Sequence, residues 1–271
     1  MKISTAKNNY LVSVVMNCYN GEKYLKKTLE SIQKQKYTNW ELIFWDNQST
    51  DNSKKIFDSF EELRFKYYYS EKHTTLYDAR NLACKKCNGK YIAFLDCDDW
   101  WYDNFLSIRK IFFDDERYKF SYSNSHLYFE KSNKYELHSK TNLLSGKIYD
   151  FLSKNYLVRI SSLIIRKKSL EEINFFDPKF NIIGDFDAVM KVCKTGEAYA
   201  IQEPLLCIRI HGKNFLDVNR KMFFKEYKSW FLSQVNDEFF NRNRLSFLKK
   251  LLYLYFVSLF PKFLKDLLKK K

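Results

Sequence analysis

Three loops that each follow a short apolar segment carry side chains suited to a nucleotide and a cation. The loops span residues 17–21, 46–51 and 96–101, and the third begins Asp96-Cys97-Asp98-Asp99. Two carboxylates one residue apart on a loop can converge on a hard divalent cation, because Mg²⁺ takes one or two protein carboxylates together with substrate phosphates. The loops therefore predict a nucleoside-diphosphate site in which a metal neutralises the phosphate charge.

A structural interpretation competes with this chemistry in the first two loops. The ring of Tyr19 can stack on a flat base, and the carboxylate of Asp46 can accept hydrogen bonds from a base or ribose. Taken alone, however, Asp46 is more typical of a turn residue, because Asp side chains suit the turns that follow strands. Tyr19, taken alone, is more typical of ordinary packing. The acids of the third loop are harder to explain, since they repel one another unless something positive neutralises them.

The elements that must position these loops follow from the hydrophobic periodicity. Short apolar runs alternate with amphipathic stretches over the first 100 residues, which predicts a parallel sheet with helices on both faces. The expected strands are 12–16, 40–45, 65–69 and 91–95, and the expected helices are 22–35, 53–62 and 76–86. Ligands of such sheets bind beyond the carboxyl ends of the strands, where all three loops lie.

The alternation is less regular after residue 100. Strands are expected at 120–124, 126–130, 161–165 and 205–210, and helices at 103–113, at 185–195 and from 219 onward. The acids Asp185 and Asp187 begin the second of these helices. An acid at that position is also a common helix cap.

Composition and charge exclude several classes of protein. The 271 residues have a net charge of +15, and residues 241–271 hold nine Lys or Arg and one acid. Such a basic segment can bind nucleic acid or an anionic membrane surface, or can serve only solubility. No two glycines form a GxG pair, which argues against a dinucleotide-binding loop or a Walker-type phosphate loop. Irregular cysteine spacing and a polar start without a signal peptide indicate a reducing, cytoplasmic setting.

The order and spacing of four motifs resemble the family 2 nucleotide-sugar glycosyltransferases of the GT-A fold. The family's V-S-I-I-I-P-x-Y-N corresponds to residues 12–20, and its D-D-G-S-x-D corresponds to 46–51. Its A-R-N corresponds to 79–81, and its L-D-x-D-D corresponds to 95–99. A weaker match spans 182–211. The sequence departs from the pattern at three places: Asn17 replaces Pro, Asn47-Gln48 replace Asp-Gly, and Gly184 replaces a frequent Glu.

The resemblance implies a role for each matching residue. It implies Asp185 as the catalytic base, with Asp187 as its rival, and it implies an inverting transfer that depends on Mn²⁺ or Mg²⁺. The implied metal ligands are Asp98 and His211. The implied donor-binding residues are Cys18, Tyr19 and Asn20 around the base, Asp46 bonded to the base, Arg80 near ribose or phosphates, and Asp96 near the ribose.

The resemblance also implies a division of the chain and a set of partners. Residues 1–215 would form a GT-A-like domain with a nucleotide-sugar half (11–114) and an acceptor half (115–215), and residues 216–271 a basic, aromatic-rich helical extension. The expected donor is a UDP-sugar, and the expected acceptor is a glycan or lipid-linked sugar. Residues 244–271 are expected either to pack on the domain or to bind an anionic membrane from its cytoplasmic face.

Two other functions are consistent with parts of this pattern. A sugar nucleotidyltransferase has a similar sheet, but it is expected to have an N-terminal Gly-rich loop that is absent here. A nucleic-acid- or membrane-binding protein without catalysis would explain the basic segment. Nucleic acid is not expected as a partner, because the basic residues concentrate in the C-terminal segment while the predicted cleft is acidic.

Overall fold

The computed structural model describes residues 9–212 and 214–259, without the side chains of 216 and 217. Within these residues, nine strands form a single sheet. The strands are β1 (Val12–Cys18), β2 (Trp40–Asp46), β3 (Phe65–Tyr69), β4 (Tyr91–Phe94), β5 (Trp100–Trp101), β6 (Tyr118–Phe129), β7 (Lys134–Leu137), β8 (Ile164–Arg166) and β9 (Glu197–Ile210). The helices are α1 (Glu22–Gln33), α2 (Ser53–Asp58), α3 (Leu76–Cys84), α4 (Lys110–Asp114), α5 (Tyr149–Lys154), α6 (Lys167–Glu172), α7 (Gly184–Val192), α8 (Phe215–Val218), α9 (Arg220–Ser233), α10 (Glu238–Arg242) and α11 (Arg244–Leu259).

The first half of the sheet is parallel, as the periodicity predicts. Its strands lie in the order β3-β2-β1-β4, and every neighbouring pair runs in the same direction. Alternate residues of β1 enter different hydrophobic clusters, Val14 on one face and Val15 on the other. Helix α1 buries Leu25, Leu29 and Ile32 against the first of these faces, whereas α3 packs on the second. Helices on both faces are therefore confirmed for this half.

The second half adds antiparallel pairs to the sheet. Strand β8 runs antiparallel to β4 and to β6, and β9 pairs with β6 in parallel and with β5 in antiparallel orientation. The resulting order is β3-β2-β1-β4-β8-β6-β9-β5, with β7 paired to β6. The sheet is therefore mixed, and it joins a parallel first half to a second half that contains the two longest strands, β6 and β9.

Several predicted boundaries in the second half are wrong. The two short strands expected at 120–124 and 126–130 form one strand, β6, and β9 begins at Glu197 rather than at 205. Pro204 interrupts the alternation of β9 because it lacks a backbone N–H, and the register with β6 shifts beside it. The helix expected at 103–113 is reduced to a 3₁₀ turn at Ser107–Arg109 followed by α4.

The C-terminal helices pack on the preceding domain. Trp230 of α9 contacts Phe186 of α7, with ring centroids 4.8 Å apart, and Phe247 of α11 at 5.2 Å. These residues belong to one hydrophobic cluster, which also contains Val189. Helices α9 and α11 therefore share a core with the helix on which Asp185 lies. No helix in the described ranges is long and apolar enough to cross a membrane. Residues 260–271 of the predicted membrane-binding segment lie outside the described residues.

Candidate active site

A cleft of about 1110 Å³ lies beyond the carboxyl ends of β1, β2 and β4, where the strand order predicts a ligand. Eight of the nine predicted site residues line it: Cys18, Tyr19, Asn20, Arg80, Asp96, Asp98, Asp185 and His211. They come from five segments that are distant in the chain, and the fold brings them to one cavity.

The acidic loop after β4 presents three carboxylates with different partners. Asp96 pairs with the buried Arg80 of α3. Asp98 faces His211, with 3.1 Å between Oδ2 and Nε2. Asp99 is buried, and it accepts hydrogen bonds from the Ser161 hydroxyl (2.7 Å) and from the backbone N–H of Arg209 in β9 (3.0 Å). Asp99 therefore anchors the loop, while Asp96 and Asp98 are more exposed to the cleft.

Electrostatics of the loop oppose full ionisation of Asp96. Burial raises the pKa of Asp96, and the neighbouring charges of Asp98 and Asp185 raise it further, while Arg80 lowers it. A cationic ligand in the cleft would relieve this repulsion.

The Asp98–His211 pair fits a divalent cation as a partial protein site. Among the described residues, no group of three or more His, Cys, Asp or Glu side chains forms a complete metal cluster. Two ligands are nevertheless compatible with an ion that takes its other oxygens from a diphosphate and water. The carboxylate suits Mg²⁺ and Mn²⁺ alike, whereas an imidazole is more typical of transition-metal sites than of Mg²⁺ sites. Asp98 and His211 would hold such an ion.

The first two loops form one end of the cleft. Tyr19 is 53% exposed, and its ring packs edge-on against His73 at 4.5 Å. His73 is in turn held by the carbonyl of Asn47, 2.8 Å from Nδ1. Asn20 has a left-handed backbone (φ 55°), and its side-chain oxygen accepts from the N–H of Thr50, which ties the two loops together. An exposed aromatic on such a rigid support can stack on a base.

The structure places Asp46 in a different position from the other eight predicted residues. Its side chain is buried, and it accepts hydrogen bonds from the Ser49 N–H (2.6 Å) and the Tyr67 hydroxyl (2.6 Å). Asp46 is not among the residues that line the cleft, whereas the next residue, Asn47, is. Both of its oxygens therefore have structural partners, and its contact with a base stays a prediction.

Asp185 lies in the first turn of α7, with its carboxylate in the cleft. The Tyr77 hydroxyl donates a hydrogen bond of 2.9 Å to its Oδ1. Burial raises the pKa of Asp185, and the Arg80 guanidinium and the Tyr77 hydrogen bond oppose this rise. A carboxylate with a raised pKa in a cleft is suited to accept a proton near neutral pH.

The rival acid, Asp187, has a structural role. It is 2% exposed, it accepts from Trp230 Nε1 (3.0 Å), and it pairs with Lys191 (2.6 Å). It does not line the cleft. The geometry therefore favours Asp185 over Asp187 as the base and assigns Asp187 to the contact between α7 and α9.

The sequence interpretation missed several residues that line the cleft. Arg159 donates through Nε to His138 Nε2 (3.3 Å), and burial, together with Arg159, lowers the pKa of His138 to about 4, so that this imidazole is neutral. Tyr77, Arg220 and Lys250 line the cleft as well. No motif marks these positions. For Arg220 and Lys250, only the spacing of residues along α9 and α11 could have indicated a side that faces the cleft.

A parallel half-sheet with an acidic loop at its carboxyl ends, joined to a mixed second half that carries a further acid, defines the GT-A class of transferases. S. aureus TarS in complex with UDP-GlcNAc superimposes with a TM-score of 0.71, at 19% identity, over 91% of this chain and 72% of that chain. The mannosyltransferase PcManGT from Pyrobaculum calidifontis, in complex with GDP-Man and Mn²⁺, gives a TM-score of 0.64 at 15% identity, over 87% and 68% of the two chains. These similarities establish the fold.

The chain belongs to glycosyl transferase family 2, whose sequence model matches residues 13–174, and it is a glycosyltransferase. It is also similar to the Escherichia coli UDP-Glc:alpha-D-GlcNAc-diphosphoundecaprenol beta-1,3-glucosyltransferase WfgD. The two are 28% identical over 222 residues, which cover 82% of this chain and 84% of WfgD. The predicted family and GT-A fold are thereby confirmed.

Proposed function

We propose that this glycosyltransferase moves a sugar from a UDP-sugar to a hydroxyl of a glycan or lipid-linked acceptor, with inversion and with Mn²⁺ or Mg²⁺, in surface polysaccharide or glycoconjugate synthesis. The observation that carries this proposal is the shared cleft of Asp185, Asp96 and Asp98. It combines an acid able to accept a proton with an acidic loop whose Asp98 could hold a cation together with His211. A UDP-sugar donor and a lipid-linked acceptor are supported by the name of WfgD, and Mn²⁺ by the PcManGT complex.

In the proposed reaction, the acceptor hydroxyl loses its proton to Asp185 as its oxygen attacks the anomeric carbon of the donor. The Tyr77 hydroxyl orients the carboxylate through Oδ1 and leaves Oδ2 for the acceptor. A base in this role contributes about 10²–10⁴-fold to the rate. Attack from the face opposite the leaving group inverts the anomeric configuration.

At the donor end, Tyr19 and Asn47 are proposed to contact the base, with Cys18 and Asn20 beside them. Arg80 is held against Asp96 and over the ring of Tyr77, at 4.8 Å from its centroid. It therefore links the donor residues to those around Asp185. A divalent ion held by Asp98 and His211 would supply Lewis-acid stabilisation of the departing diphosphate.

The C-terminal helices extend this proposal to a cytoplasmic location on an anionic membrane surface. Helix α11 exposes Leu252 and Phe256 to solvent next to the exposed Lys249. Exposed apolar and basic side chains on one helix suit a membrane interface. One face of α11 packs on the domain, so both expected roles of this segment are compatible.

The test of the proposed function is thermal unfolding with UDP, GDP or dTDP, each with and without Mn²⁺ or Mg²⁺. A ligand at 100 times its dissociation constant stabilises the folded state by about 2.7 kcal/mol. A metal-dependent rise of the midpoint for UDP, absent for GDP and dTDP, is the expected result. No rise with any nucleotide, at saturating metal, would refute the donor site.

A further inference from the structure

Helix α11 is apolar on more sides than packing on the domain requires. One side carries Phe247 and Leu254, which are buried in the core. A second side carries Tyr253 and Val257, which line the active-site cleft together with Leu254. A helix that is apolar nearly all round is normally covered by protein or lipid on every side.

The remaining side of α11 is open to solvent. Its apolar residues are between 37% and 75% exposed: Leu245, Leu248, Leu252, Tyr255, Phe256 and Leu259. They follow one another at helical spacing and lie next to the side that enters the cleft. A continuous exposed apolar patch of this kind marks a binding surface.

Cations accompany the apolar residues inside the cleft. Lys250 Nζ lies 5.3 Å from the ring centroid of Tyr253 and 5.9 Å from that of Phe223 in α9. Arg220, the first residue of α9, lines the same cleft, as does Asp185. Lysine and arginine are suited to phosphate oxygens, and the rings beside them are suited to an apolar chain.

We infer that the part of the cleft lined by α9 and α11 binds the lipid diphosphate of a lipid-linked sugar acceptor. Lys250 and Arg220 contact the diphosphate, Tyr253 and Val257 contact the first isoprenoid units, and the chain continues along the exposed apolar side of α11. A water-soluble glycan would use neither the cations nor this exposed side. The inference rests on the proposed function and names its acceptor class and the residues that bind it.

The probe for this subsite is farnesyl diphosphate, used below its micelle concentration and titrated by calorimetry into the full chain without metal. Farnesol and inorganic diphosphate are titrated in parallel, and each is expected to bind at least about tenfold more weakly, because each supplies only half of the contacts. Addition of UDP with Mn²⁺ is expected to leave farnesyl diphosphate binding intact, since the two ligands occupy different parts of the cleft.

Two neighbouring lysines provide a matched pair of variants. Lys250→Ala is expected to weaken farnesyl diphosphate binding about tenfold, in line with the loss of one charge-assisted contact, and Lys250→Arg is expected to restore it. Lys249→Ala removes the same charge from the neighbouring residue. Both lysines are exposed, but only Lys250 lines the cleft. This control is expected to bind like the parent chain.

Four outcomes would overturn the inference. The first is no binding of farnesyl diphosphate, and the second is an equal loss of binding in Lys250→Ala and Lys249→Ala, which would indicate an effect of general surface charge. The third is competition with UDP, which would place the probe in the donor site. The fourth is a dimer, detected by light scattering and dissociated by Leu252→Asp, which would mean that a second copy of the chain covers the exposed side of α11. The shift of the unfolding midpoint with UDP, measured on the same samples, distinguishes failure of the acceptor subsite from failure of the proposed function. Loss of farnesyl diphosphate binding alone refutes the acceptor subsite, whereas loss of both refutes the proposed function as well.

Discussion

The hydroxyl of Tyr77 donates a hydrogen bond of 2.9 Å to Oδ1 of Asp185, across 108 residues of sequence. Tyr77 is buried, with its ring packed on Phe176 at 5.2 Å and beneath the guanidinium of Arg80. The side chain is therefore fixed, and it holds the carboxylate of Asp185 in one orientation. The bond stabilises the ionised form, which is the form that a base requires.

We expect Tyr77→Phe to shift the acid limb of the pH profile of kcat/KM to higher pH, by about one unit. Burial already raises the pKa of Asp185, so activity falls as the pH drops through a value above that of an ordinary aspartate. Loss of a bond to the charged form raises this pKa further. The variant therefore loses activity at low pH and approaches the parent enzyme at high pH.

The measurement is kcat/KM between pH 5 and about 9, a quantity whose pH dependence reports groups of the free enzyme. Tyr149→Phe is the control, because it removes another buried hydroxyl that has no hydrogen-bond partner in the described part of the chain and lies outside the cleft. An unshifted profile for Tyr77→Phe would show that this tyrosine does not act through Asp185.

Asp185→Asn and Asp187→Asn are expected to have opposite effects. The first should lower kcat by about 10²–10⁴-fold and retain the UDP midpoint shift, because it removes only the proton acceptor. The second breaks the contacts with Trp230 and Lys191, so it should lower the free energy of unfolding by about 1–3 kcal/mol and leave kcat per folded molecule within a fewfold. Urea unfolding and initial rates measure the two quantities. The assignment is reversed if Asp187→Asn loses turnover while remaining folded.

The sequence was sufficient for the elements that local patterns define. The continuous apolar run of β1 and the single apolar face of α1 are patterns within one segment, and both were predicted with errors of a few residues at their ends. The loop acids were also predicted, because parallel strands deliver their carboxyl ends to a common edge. Cys18, Tyr19, Asn20, Asp96 and Asp98 accordingly line one cleft. Arg80, Asp185 and His211 line it too, and they were predicted from the resemblance to the family.

The contacts that tune the site could not be predicted, because they join distant segments. Asp46 has the residue type of a ligand, yet its partners Ser49 and Tyr67 occupy both oxygens. Gly184 replaces the Glu that is frequent in the family, and the fold leaves no room for a side chain at this position. A Cβ at this position would lie 2.4 Å from the ring of Tyr77, so the ring occupies the space that a larger residue would need.

Asp98→Ala should abolish the metal-dependent midpoint shift with UDP. Asp98 is partly exposed and faces His211, so its removal should leave the midpoint of the free protein nearly unchanged. Asp103→Ala is the control, since Asp103 is an exposed acid paired with Lys36 outside the cleft. Thermal unfolding with UDP, with and without Mn²⁺, is the measurement. A full shift in Asp98→Ala would remove Asp98 from the metal site.

Glu226→Ala should lower kcat up to about a hundredfold while UDP binding is retained. The Glu226 carboxylate in α9 accepts backbone N–H groups from Asn181 (2.9 Å), Ile182 (2.9 Å) and Ile183 (3.2 Å). This segment leads directly into the helix that begins with Gly184 and Asp185. Glu226 of α9 therefore fixes the backbone that precedes Asp185. A displacement of about 1 Å in a reacting group can cost this much in rate.

Glu226→Gln retains an oxygen that accepts from the same backbone and should recover part of kcat, which a purely destabilising change would not. Glu238→Ala is the matched control, because Glu238 is an exposed acid at the start of α10. Initial rates at saturating donor and the UDP midpoint shift are measured together. If Glu226→Ala loses UDP binding in proportion to kcat, the residue supports the whole domain rather than the position of Asp185.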